Sequence, residues 1–137
     1  MKQDIIDIMH ECATRSSLGN IRFPEVVQKL AGVGVEQYHA DLMRGEKTYY
    51  LPDGGSHVES MSIIKTAENI ATDFSAKNVI LAIKAIQNGE MLYPAFLEHI
   101  MSAGCVSYFV YIRGRRAIYF GRTGDYHVEN FPSPSSS

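Results

Sequence analysis

The chain has 137 residues, of which 45% are hydrophobic and 20% charged, and its formal net charge is −2. This length and composition are typical of a globular domain that folds without a metal or a disulfide. The small net charge argues against nucleic-acid binding, and no apolar stretch approaches the ~18 residues that a membrane span needs. We therefore expect a cytoplasmic protein that binds neither nucleic acid nor membrane.

The first predicted elements are two helices. Apolar residues recur at helical spacing from Ile5 to Ala13, which indicates a helix with one buried face. A second helix begins at Pro24, because proline suits the first helical position, where its missing N–H would have no partner. It ends near Gly34, since glycine readily adopts the left-handed conformation that closes a helix.

Two short strands are predicted next, because the pattern changes from helical to alternating. Tyr38, Ala40 and Leu42 share one face of residues 36–42. A turn that contains glycine follows, and residues 47–51 form an aromatic second strand. Together the two strands predict a β-hairpin.

The same elements then return along the chain. A third helix begins after Ser75, a suitable N-cap, and a fourth begins at Pro94. Val106 and Tyr108 lie on the predicted buried face of the next strand, and residues 116–121 form the strand after it. Each half is therefore predicted to be an α-α-β-β unit.

A constant offset of 70 relates the two halves. Residues 19–59 align with residues 89–129 without a gap, and self-similarity at a fixed offset indicates one structural unit made twice. The identical pairs are Gly19/Gly89, Pro24/Pro94, Gly34/Gly104, Tyr38/Tyr108, Tyr49/Tyr119, Gly54/Gly124, His57/His127, Val58/Val128 and Glu59/Glu129.

The simplest assembly of two such units is an α+β domain with an internal duplication. We predict an antiparallel four-stranded sheet with the helices packed on one face. Residues 1–132 form this single pseudo-twofold domain, in which residues 61–71 are a connecting helix. Residues 133–137 are a disordered tail by composition.

Two stretches of the chain resemble a known family. They are GVGVEQYHADLMRGEKTYYLPDG and AGCVSYFVYIRGRRAIYFGRTGDYHVENFP, and the closing YFGRTGDYHVENFP is the most specific part. They are similar to the YbcV-like family of small bacterial and prophage proteins, some of which are labelled phage envelope proteins. The resemblance implies a bacterial or prophage origin, and it implies no activity, cofactor or catalytic residue.

The repeated His-Val-Glu segment is the first candidate site. In an extended segment His57 and Glu59 point to the same side, and so do His127 and Glu129. Each pair is interpreted as a structural fastening, because a carboxylate fixes the tautomer of a neighbouring imidazole. Alternatively, the two pairs converge at the pseudo-dyad and bind a divalent metal, which would support hydrolysis through a bound water.

Aromatic residues give two further candidate sites. A small-ligand cleft would be lined by the repeated tyrosines and anchored by polar side chains. Its predicted residues are Tyr38, Tyr49, Tyr108, Tyr119, Arg122 and Asp125. Phe109 and Tyr111 lie on the outer face of their strand and predict a contact surface, which either the connecting helix or a partner chain, such as a second copy in a homodimer, covers.

The sequence contains no set of residues that we interpret as catalytic and predicts no cofactor. Its leading functional interpretation is a non-catalytic binding or interaction module of bacterial or prophage origin. The alternative is a metal-dependent, hydrolase-like enzyme that uses the paired His-Val-Glu segments. The distance between the His57 and His127 side chains separates the two, because ligands of one metal ion lie ~3–4 Å apart.

Overall fold

The computed structural model describes residues 1–61 and 70–132. These residues form four helices and one sheet of six strands. The elements are α1 (Gln3–Leu18), α2 (Phe23–Gly32), β1 (Gln37–Asp41), β2 (Glu46–Tyr50), β3 (Ser56–Ser60), α3 (Ala76–Gln87), α4 (Tyr93–Ser102), β4 (Cys105–Tyr111), β5 (Arg116–Gly121) and β6 (Tyr126–Asn130). The strand order is β3-β2-β1-β4-β5-β6, and every neighbouring pair is antiparallel.

The α+β class is confirmed, but the predicted four-stranded sheet is wrong. The two additional strands are β3 and β6, which contain the His-Val-Glu segments and pair with β2 and β5. Both lie at the edges of the sheet that residues 1–61 and 70–132 form, where one long side of the strand has no partner strand among these residues. Neither strand contains a fully buried residue, so the strong apolar alternation that marks the inner strands is missing from the sequence.

The helices begin and end where the sequence indicates. Pro24 and Pro94 occupy the first turns of α2 and α4, and the hydroxyl of Ser75 accepts a hydrogen bond from the backbone N–H of Asn78 at the start of α3. Gly34 and Gly104 follow α2 and α4 with φ of +88° and +87°, a conformation that costs glycine little. These features depend on local sequence, which is why the pattern predicts them.

The elements of the second half follow those of the first at the same offset as the sequence. Helix α2 spans 23–32 and α4 spans 93–102, while β3 spans 56–60 and β6 spans 126–130. From each edge to the centre of the sheet, the strands follow in the order third, second and first of their half. The two halves join where β1 pairs with β4. A twofold superposition of the halves and the single-domain assignment of residues 1–132 stay predictions.

The helices pack on the sheet face that carries Tyr38 and Tyr108. The ring of Phe96 in α4 contacts the ring of Tyr119 in β5, with 6.3 Å between ring centres. Tyr38, Tyr108 and Tyr119 are buried, as the alternating pattern predicts. The opposite face carries side chains that are only half-buried, including Phe109.

One residue of the predicted buried face is placed differently. The pairing of β4 with β5 shifts register between Cys105 and Ser107. Cys105 is therefore fully buried, whereas Val106, predicted to share a buried face with Tyr108, is half-buried. An inserted residue of this kind has no clear signature in an apolar stretch.

Two predicted segments fall outside this description. The connecting helix at 61–71 lies mostly, and the tail at 133–137 wholly, outside the described residues. Both stay predictions.

Candidate functional site

The His-Val-Glu segments place two similar side-chain pairs on the helix-facing side of the sheet. Nε2 of His57 lies 2.6 Å from Oε2 of Glu59, and Nε2 of His127 lies 3.0 Å from Oε1 of Glu129. In the sheet register His57 is opposite Tyr49 and His127 is opposite Tyr119, which fixes the face on which the imidazoles lie. Each pair is a hydrogen-bonded contact between two residues of the same edge strand.

The structure does not bring the two pairs together. Strands β3 and β6 are the opposite edges of the sheet, and neighbouring strands are ~4.8 Å apart, so the pairs are separated by roughly 24 Å. Within residues 1–61 and 70–132 no group of three or more histidine, cysteine, aspartate or glutamate side chains is placed to hold a metal ion. His57, Glu59, His127 and Glu129 therefore do not form one four-ligand site.

The first pair has an additional partner. Nδ1 of His10, in α1, lies 2.8 Å from Oε1 of Glu59, so the Glu59 carboxylate joins both histidines. The residue 70 positions after His10 is Ile80, and the second half therefore lacks this contact. This difference makes the first pair a link between α1 and the edge of the sheet.

A cavity of about 380 Å³ lies between the sheet and the helices, and we call it the central cavity. Its volume falls within the range of ~300–1,000 Å³ that is typical of small-molecule sites. Most of its wall is apolar or aromatic and comes from both halves: Val26, Tyr38, Ile83, Ile86, Phe96, Tyr108, Val110 and Tyr119. Exposed residues that also line it, Arg22, Gln87 and Asn130, mark its opening to solvent.

The tyrosines predicted to line a ligand cleft divide into two groups. Tyr38, Tyr108 and Tyr119 line the central cavity, whereas Tyr49 is buried behind Tyr38, with 5.4 Å between their ring centres. The predicted polar anchors lie elsewhere, on the turn between β5 and β6. Arg122 donates hydrogen bonds to the carbonyl oxygen atoms of residues 70 and 71, and Asp125 accepts one from a neighbouring threonine.

Lys47, a residue that the sequence patterns do not single out, adds an amine to the lining of the central cavity. Lys47 lies on β2 and is only 4% exposed. Its Nζ lies 4.3 Å from the ring centre of Tyr93 and 5.8 Å from that of Tyr38. Burial lowers the pKa of this amine to about 8, because a charged ammonium is poorly solvated in an apolar wall.

No carboxylate of the described chain forms a salt bridge with Lys47. Its cross-strand neighbour is Glu59, whose two oxygen atoms bond to His10 and His57. Glu129 also lines the cavity, but its carboxylate bonds to His127. Buried lysines are usually paired, so an amine that faces an apolar cavity is a candidate for ligand binding or reaction.

The tyrosine hydroxyl groups supply neutral polar atoms beside the amine. The hydroxyl groups of Tyr93 and Tyr108 form a hydrogen bond with each other. Burial raises the pKa of both phenols well above the ordinary value, so both stay protonated near neutral pH. The central cavity thus combines aromatic walls, neutral hydroxyl groups and one amine.

A sequence signal for Lys47 exists in the pattern of β2. Alternation in EKTYY places Lys47 on the same face as Tyr49, which the repeat marks as a core position. The residue 70 positions later is Ala117, which is also buried and also lines the cavity. Lys47 is therefore distinguished by a charged side chain at a buried position where the other half has a small apolar one.

The predicted contact surface lies on the other side of the sheet. Phe109 and Tyr111 are half-buried and stack, with 5.7 Å between ring centres, and the His39 ring stacks on Phe109 at 4.3 Å. Burial lowers the pKa of His39, which favours the neutral imidazole in this stack. We call these three residues the outer aromatic cluster.

Comparison with known proteins identifies a family but no activity. No curated protein matches the chain. No helix in the described ranges is long and apolar enough to cross a membrane. The YbcV-like assignment, the phage connection and the cytoplasmic location stay predictions. A family model described as "Protein of unknown function (DUF1398)" matches residues 11–130, and the chain therefore belongs to the DUF1398 family.

Proposed function

We propose that this protein is a small-molecule-binding domain, and that its ligand has an apolar body and one oxygen-bearing group. The observation that carries the proposal is the position of Lys47, whose amine faces the aromatic central cavity without a carboxylate partner in the described chain. An apolar pocket with few polar groups is the usual form of a small-molecule site. The apolar wall binds the body of the ligand, and the amine selects a carbonyl or carboxylate oxygen.

The alternative of a metal-dependent hydrolase has less support. It requires His57, Glu59, His127 and Glu129 to bind one ion, and the two pairs lie at opposite edges of the sheet. The central cavity supports a binding function that needs no such convergence.

The test is a binding measurement with a graded set of probes. The set pairs apolar carboxylates with the corresponding aldehydes, from benzoate and benzaldehyde to 4-isopropylbenzoate and 4-isopropylbenzaldehyde. We expect at least one probe to shift the amide signals of residues that line the central cavity in a ¹⁵N–¹H NMR titration. If no probe shifts them, the proposal is wrong.

A matched pair of variants locates the binding site. Ala117 lines the central cavity and is 5% exposed, so Ala117→Met fills part of the cavity and should weaken probe binding at least fivefold. Ala76 lies at the exposed start of α3, and Ala76→Met should leave binding unchanged. Equal affinities of the two variants would contradict binding in the cavity.

A second candidate function is self-association through the outer aromatic cluster. Its support is the half-buried stack of His39, Phe109 and Tyr111 on the sheet face opposite the helices, because contiguous apolar surface often marks an interface. We propose a second copy of this chain as the partner.

Sedimentation equilibrium tests self-association directly. Phe109→Ser should raise the dimer dissociation constant at least tenfold, whereas Leu81→Ser, at an exposed position of α3, should not change it. A thermal melt of each variant shows that it is folded. A wild-type protein that is monomeric at ~100 μM, a concentration at which even weak specific dimers form, would remove this proposal.

A further inference from the structure

The central cavity contains the components of a carbonyl-reactive site, and this inference rests on the proposed binding function. We propose that the amine of Lys47 forms an imine with an aldehyde or ketone ligand. Such an amine must be accessible to the ligand, must lack a carboxylate that holds its proton, and must lie beside a wall that orients the ligand.

The reach of the amine meets the first requirement. Lys47 is one of the residues that line the central cavity, although only 4% of its surface is exposed. The cavity opens beside Arg22, Gln87 and Asn130, which are exposed. A ligand that enters there meets the aromatic wall and the amine in the same space.

The surroundings of the amine favour loss of its proton. The groups that face it are Tyr93 from α4, Tyr38 from β1, Cys12 from α1 and the cross-strand neighbour Glu59. The aromatic faces attract an ammonium ion, but they carry no full negative charge. Glu59 is occupied by two histidines, and burial lowers the lysine pKa to about 8, so a substantial neutral fraction exists at mildly alkaline pH.

The proposed reaction is balanced without an added oxidant or reductant. The nitrogen lone pair attacks the carbonyl carbon, a C–N bond forms, and a proton moves from nitrogen to oxygen to give a carbinolamine. Loss of water then forms the C=N bond. The hydroxyl groups of Tyr93 and Tyr108 bond to each other, which leaves one of their two O–H groups to donate a hydrogen bond to the departing oxygen.

Reductive trapping tests the inference. The whole protein is incubated with 4-isopropylbenzaldehyde and sodium cyanoborohydride, which converts an imine to a stable secondary amine, and peptide mass spectrometry locates the adduct. We expect the Lys47 peptide to be labelled at least tenfold faster than the peptides that contain Lys77 and Lys84, which are exposed. Labelling at Lys47 should rise with pH between 7 and 9.

Two controls separate a reaction in the cavity from general lysine reactivity. Saturating 4-isopropylbenzoate should suppress labelling of Lys47 and leave labelling of Lys77 and of the amino terminus unchanged. Lys47→Met should abolish the rapid adduct, while Lys77→Met should retain it. Labelling of Lys47 at the rate of exposed lysines, or without competition by the carboxylate, would overturn the inference.

The outcomes also separate this inference from the proposed function. If the aldehyde shifts the NMR signals of cavity residues but leaves Lys47 unlabelled, binding occurs without reaction and only the imine inference fails. If neither shifts nor labelling are observed, both fail.

Discussion

The Nζ atom of Lys47 lies 4.3 Å from the centre of the Tyr93 ring, in a wall that brings no carboxylate of the described chain to the amine. Burying this amine in its charged form lowers the stability of the fold. Since the folded-state pKa is about 8 and that of an unfolded lysine is ~10.4, stability should rise as the pH increases from 8 to about 10. In that interval the unfolded chain binds a proton that the folded chain does not.

Lys47→Met should therefore raise the free energy of unfolding at pH 7, by roughly 1–3 kcal/mol. Methionine keeps the length of the side chain and removes the buried charge. The gain over wild type should shrink as the pH approaches 10, and urea denaturation at several pH values measures it. Lys77→Met, on the surface, is the control and should change stability by less than ~0.5 kcal/mol. A loss of stability in Lys47→Met would mean that the amine has a stabilising partner.

The two His-Val-Glu pairs should differ in their contribution to stability. Glu59 joins His57 and His10, and its side chain is 12% exposed, whereas Glu129 bonds to His127 and is 30% exposed. Glu59→Ala should therefore lower the free energy of unfolding by about 1 kcal/mol more than Glu129→Ala, because it removes one more hydrogen bond to a charged group.

A double-mutant cycle checks the extra bond. Adding His10→Ala to the Glu59→Ala variant should cost less than His10→Ala costs in the wild-type protein. Additive effects would show that the bond between α1 and the edge strand contributes nothing measurable.

The glycines that follow α2 and α4 should respond differently to a methyl group. Gly34 and Gly104 have nearly the same φ, but a Cβ at Gly34 meets open space, whereas one at Gly104 clashes with the backbone carbonyl of Asp73. Gly34→Ala should cost about 1–2 kcal/mol through backbone strain alone. Gly104→Ala should cost at least ~2 kcal/mol more, because the backbone around Asp73 must move. Thermal denaturation of the two variants compares them, and equal costs would contradict the close approach at Gly104.

Local signals in the sequence predict most of the fold. Pro24, Pro94 and Ser75 mark helix starts that the structure confirms, because these residues act through their own backbone or their nearest neighbours. The sequence does not predict the edge strands β3 and β6, because none of their residues is fully buried and the apolar alternation of a half-buried strand is weak. Alternation along β4 also places Phe109 and Tyr111 on the outer face of their strand, whereas the stacking of His39 on Phe109 depends on the pairing of β1 with β4.

The candidate site is harder to predict than the fold, because the burial of Lys47 depends on tertiary packing. The sequence predicts candidate sites at the repeated histidines, because imidazole can bind a metal, and at the repeated tyrosines. Three of these tyrosines line the central cavity. The sequence does not predict a role for Lys47, because a lysine in a strand is usually solvated, whereas here the ring of Tyr93 in α4 lies over its amine. Comparing the halves position by position exposes it, since Ala117 occupies the corresponding place.

The position of the repeated histidines also bears on how the protein avoids aggregation. An open sheet can recruit a strand from another molecule at either edge, and the copies of His-Val-Glu are found at both. A strand added beside β3 or β6 would remove the remaining exposed surface of an imidazole–carboxylate pair from water, at a cost in solvation free energy. Both edge strands of the described sheet therefore carry the same imidazole–carboxylate pair, which disfavours the addition of a further strand at either edge.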